Sequence, residues 1–123
     1  MSQLSLKLKK LYEEKKYKEI INIISELDDI NLNSGLLNLL GVCKMQYNNS
    51  AETLKSAIQD FRKAYSSEKK TENSLNALKN FINASIDLFD IEFKSNEINL
   101  TDNILKEIFL YFDDNKDLSL IHI

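Results

Sequence analysis

Cys43 and His122 are the only cysteine and the only histidine in the chain, and they stand 79 positions apart. A thiol becomes a nucleophile at neutral pH when a base or a cation lowers its pKa. Cys43 lies instead in "LLGVCKM", among apolar neighbours, and reads as a small core side chain. One cysteine also excludes an intrachain disulfide and a zinc site built on paired thiolates. Asp28-Asp29 and Asp113-Asp114 are adjacent carboxylates. Neighbours on a helix point to different faces, so neither pair converges as an acid and base; both read as solvated charges at helix ends. No glycine-rich phosphate loop and no H-E-x-x-H spacing occurs. No catalytic, metal or cofactor site is expected, and the fragment reads as a non-enzyme.

What remains is a row of amides. Asn76, Asn80, Asn83 and Asp87 fall at i, i+4, i+7 and i+11, the spacing of one helix face. A side-chain amide both donates and accepts, which suits it to hydrogen-bonding the backbone of an extended peptide. Composition supplies a plainer alternative. Ile, Asn and Lys are abundant and Trp is absent, which points to AT-rich codons and a low-GC genome. Such codons provide asparagine without a functional reason, so the row is either a binding stripe or an ordinary solvated face.

The elements that must carry these residues are helices. Proline is absent, where a chain of this length would hold about six. Apolar spacing is helical in "QLSLKLKKLYEE", "YKEIINIISELDDI", "SGLLNLLGVCKMQ", "TLKSAIQDFRKAY", "NSLNALKNFINASIDLF" and "NILKEIFLYF". The second, fourth and sixth share an i, i+4, i+7 pattern: Ile20/Ile24/Leu27, Ala57/Phe61/Ala64 and Leu105/Phe109/Phe112. Ile21, Leu54, Ile58, Tyr65 and Ile108 widen these faces. The fifth carries two apolar stripes, Leu75/Leu78/Ile82/Phe89 and Ala77/Phe81/Ala84/Leu88, as a helix packed on both sides would. Ser50 is the expected N-cap of the fourth helix, Thr71 of the fifth, and Thr101 or Asp102 of the sixth. The longest irregular stretch is predicted in "DIEFKSNEIN".

Helix pairs recurring at a period in the thirties indicate a stacked solenoid. Gly41 sharpens this reading, because a glycine inside a helix costs roughly 1 kcal/mol relative to alanine. Leu37-x2-Leu40-Gly41 followed by Ala57-x3-Phe61-x2-Ala64 resembles a tetratricopeptide repeat (TPR). The resemblance implies an all-α, right-handed stack of three antiparallel helix pairs. It gives Gly41 the place where the partner helix crosses closely, with Phe61 filling the gap. Departures are Lys44 in place of the usual tyrosine, about four extra residues in "YNNSAETLKS", Lys69 near the place of the closing proline, and Lys79 in place of the third repeat's glycine.

In that family the first helices line a concave groove. The resemblance therefore implies a peptide-binding surface made by Asn38, Asn76, Asn80, Asn83 and Asp87. The expected partner is a protein or peptide segment. A formal net charge of −3 argues against nucleic acid. No run is apolar enough for a signal peptide or a membrane span, so the expected compartment is the cytoplasm. Two other readings stay open: the N-terminal repeat arm of a larger enzyme such as a glycosyltransferase or sulfotransferase, and a structural bundle that self-associates through its C-terminal end. Residues 118–123, "LSLIHI", are what CTG TCT CTT ATA CAC ATC encodes, a string matching a transposon-end sequencing adapter. On that reading residues 1–117 are one repeat domain cut short, and His122 has no chemical role. The alternative is an ordinary apolar tail.

Overall fold

A computed structural model describes residues 3–28, 32–67, 71–95 and 99–114, except the side chains of 95, 99–102, 112 and 114. The expectations for Asp29, Lys69 and 118–123 fall outside the described residues, and those for the side chains of Phe112 and Asp114 outside the described side chains. The described residues form six helices and no strand: α1 (Gln3–Glu13), α2 (Tyr17–Ser25), α3 (Ser34–Tyr47), α4 (Ala51–Ser67), α5 (Glu72–Ser95) and α6 (Asn99–Asp114).

Capping chemistry starts three of them. The Asn33 side chain accepts from Leu36 N–H at 2.9 Å and begins α3. Ser50 Oγ accepts from Thr53 N–H at 3.2 Å, and Thr71 Oγ1 from Ser74 N–H at 3.1 Å, as expected for α4 and α5. Two boundaries differ from expectation. α5 continues through "DIEFKS" instead of ending near Phe89, because nothing there breaks a helix and Phe93 repeats Phe89 at i+4. Their rings lie 6.0 Å apart. α6 begins at Asn99, which places Thr101 and Asp102 inside its first turn instead of at its cap.

Each helix packs on the next in chain order, and α3 also packs on α5. Leu8, Leu11, Ile20, Ile24, Leu40 and Cys43 bury one core between α1, α2 and α3. Leu54, Ala57, Ile58 and Phe61 join Phe81, Ala84, Leu88, Ile104 and Ile108 in a second, and Leu37, Ala64, Tyr65, Ala77 and Leu78 form a third beside it. All six expected face residues of α4 are buried. On α5 the second predicted stripe is wholly buried. The first is only partly covered, and Phe89 is exposed.

Gly41 is buried against α4. A Cβ built there would sit 2.7 Å from Phe61 Cζ and 2.9 Å from Cδ1, and closer still to Cε1. No real Cβ tolerates such contacts, so the Phe61 ring occupies the space a side chain at 41 would need. The structure corrects the register of α6. Its buried residues are Ile104 and Ile108, with Tyr111 partly covered, one position earlier than the predicted Leu105/Phe109/Phe112. Leu105 and Phe109 are exposed. The sequence carries apolar residues on both sides of the boundary, and only α4 and α5 decide which side is covered.

Candidate binding surface

The predicted amide row divides in two. Asn38 is buried on α3, and its Nδ2 donates to the backbone oxygen of Asn73 at 3.2 Å. Its Oδ1 accepts from Asn80 Nδ2 at 3.0 Å. These bonds lie between the parts of α3 and α5 that run side by side, so Asn38 and Asn80 join two helices. A buried amide without such partners would lose on the order of 1–3 kcal/mol. Asn76 and Asn83 are exposed, and Asp87 is half-buried. Together Asn76, Asn83 and Asp87 present two amides and a carboxylate at helical spacing along the outside of α5, adjoining the Asn38–Asn80 pair.

Lys44, the departure from the usual tyrosine, makes a partly buried electrostatic link that sequence spacing did not suggest. Its Nζ lies 2.7 Å from Asp60 Oδ2 and donates to Ser56 Oγ at 2.8 Å, tying α3 to α4. Burial pushes the Asp60 carboxyl up, and the hydrogen bond and charge of Lys44 pull it back toward the ionised form. Lys44 also lines an open cleft of about 280 Å³ with Lys18, Tyr47 and Thr53 among others, and Lys18 sits over the Tyr47 ring.

A second unanticipated cluster holds α6. Arg62 Nε donates to both carboxylate oxygens of Glu107, at 2.9 and 2.8 Å, and Nη2 donates to Oε1 at 2.6 Å. The Tyr111 hydroxyl donates to Glu107 Oε2. Arg62 also lies over the Phe81 ring, and Tyr111 packs against Tyr65 and Phe81. Burial first, and then the Glu107 carboxylate, push the Tyr111 phenol up and keep it a donor. Opposite charges on α4 and α6 were visible in the sequence, but their separation of 45 residues gave no reason to pair them.

Cys43 is fully buried, and its thiol is pushed up to about 11 by burial. It stays protonated at neutral pH, as a core side chain does. Among the described residues, no group of three or more His, Cys, Asp or Glu is placed to hold a metal ion. No described helix is long and apolar enough to cross a membrane.

One apolar cleft stands apart from these polar clusters. Ser85, Ile86 and Phe89 of α5 and Ile104, Leu105 and Ile108 of α6 enclose about 210 Å³. Its signal in the sequence was Ile86, which extends the first predicted stripe of α5 by one turn from Ile82. Comparison with family models, curated proteins and solved structures finds no match to the chain.

Proposed function

We propose that the chain is a non-catalytic scaffold whose helices stack in TPR-like pairs and whose α3–α5 side binds an extended segment of another protein. The carrying observation is the Asn80–Asn38 hydrogen bond, 3.0 Å long, which sets the polar side of α5 beside that of α3. Asn76, Asn83 and Asp87 then form one accessible row, able to accept backbone N–H groups and, through the two amides, to donate to backbone carbonyls. The burial of Gly41 under Phe61 supports the repeat-like pairing of α3 with α4.

The roles of the row follow from its geometry. Asn76, Asn83 and Asp87 make the ligand contacts, while Asn38 and Asn80 hold the two helices in register. A peptide array probed with the wild type and with Asn76→Ala/Asn83→Ala tests this reading. Two lost hydrogen bonds of roughly 0.5–1.5 kcal/mol each predict capture about tenfold weaker at unchanged helicity. Equal capture by both proteins returns these asparagines to codon bias and refutes the reading.

A further inference from the structure

We infer that the outer face of α5 and α6 is a self-association surface, and that its occupant is the same face of a second copy. Ile86, Phe89 and Phe93 form one stripe on α5, and Leu105 and Phe109 form another on α6. Their exposures are 59, 42, 65, 44 and 69%. Large apolar side chains this exposed and this close together mark a contact surface on a soluble domain. The α5–α6 cleft opens within this face, between Ile86, Phe89 and Leu105.

The face holds the cleft and, one turn along α6 from Leu105, the exposed Phe109 side chain. A two-fold axis through the face would set the Phe109 of each copy against the other copy's cleft, the pairing of an isologous dimer. Area is the second argument. Taking about 200 Å² for each full side chain, the five leave on the order of 550 Å² open per protomer. Two copies that cover these side chains fully would bury roughly 1,100 Å², which clears the about 1,000 Å² expected of a specific interface. Among the described helices the backbone of α6 approaches α5 alone, and Leu105 and Phe109 are left exposed.

On α5 this surface adjoins the amide row, Ile86 lying three residues from Asn83, but it shares no residue with the row and does not rest on peptide binding. Sedimentation equilibrium of the full 123-residue chain, from low to high micromolar concentration, tests it. The expected result is a monomer–dimer equilibrium for the wild type. Phe109→Glu and Phe93→Glu should each weaken it at least 100-fold, with helical circular dichroism unchanged because both side chains are exposed. Leu120→Glu/Ile121→Glu should leave the equilibrium as it is. A wild type that stays monomeric throughout overturns the proposal. So does a dimer that survives both phenylalanine substitutions, or one abolished by the Leu120/Ile121 pair, which would make the tail the contact.

Discussion

α4 and α6 carry similar apolar patterns, yet α4 buries a broad band of residues and α6 a narrow one. Leu54, Ala57, Ile58, Phe61, Ala64 and Tyr65 are all buried, because α3 covers one side of α4 and α5 the other. α6 approaches α5, and a bidentate ion pair to Arg62 joins it to α4. Its Ile104 and Ile108 are buried, while Leu105 and Phe109 are not. Periodicity therefore reports how wide an apolar band is. How much of the band is covered depends on how many neighbours a helix has.

The largest test of this contrast compares matched deletions. Phe61→Ala empties a fully buried site and should cost about 3–5 kcal/mol. Phe109→Ala in dilute solution should stay within about 0.5 kcal/mol, as surface substitutions do. Urea denaturation measures both; similar losses would mean that α6 is covered as α4 is.

Gly41→Ala probes the same contact from the α3 side. The added methyl meets the Phe61 ring, and the overpacking should cost about 1–3 kcal/mol despite the better helix propensity of alanine. In a double-mutant cycle Phe61→Leu should recover part of that loss, and strict additivity would show that the two positions do not press on each other.

The smallest expected effect separates the two kinds of asparagine. Asn80→Ala removes the donor to buried Asn38 and should cost about 1–2 kcal/mol, whereas Asn83→Ala should stay within about 0.5 kcal/mol. Thermal midpoints decide it, and equal midpoints would place Asn80 among the solvated residues. Its share in joining α3 to α5 makes Asn76/Asn83 the cleaner pair for any binding experiment.

Much of the architecture was legible because its signals are local. Six apolar-periodic segments became six helices, Ser50 and Thr71 cap where their side chains can reach the first turn, and Gly41 advertised close packing through its helical cost. The apolar half of α5 that covers α4 was readable for the same reason. What escaped depends on pairings distant in sequence. An asparagine that faces solvent and one that bonds across 42 residues look alike, so Asn80 could not be told from Asn83. Lys44 looked like a flaw in a repeat until Asp60 lay 2.7 Å away. The extension of α5 was missed for a simpler reason: Asp90, Glu92 and Lys94 make the segment look polar, although Phe89 and Phe93 keep the helical spacing.

α3 belongs to two cores at once. Leu40 and Cys43 close the core with α1 and α2, while Leu37 joins the one with α4 and α5 and Gly41 receives Phe61. This makes α3 the element through which the two ends of the molecule sense each other's folding. Among the described helices, the backbone of α1 approaches α2 alone, and that of α6 approaches α5 alone, with the Arg62–Glu107 pair also tying α6 to α4. In a nearest-neighbour description of cooperativity, opening from the α1 end travels inward. It meets its first large barrier at α3, whose release would empty two cores instead of one. Amide protons of α1 should therefore exchange through local fraying, and those of α3 and α4 only through global unfolding.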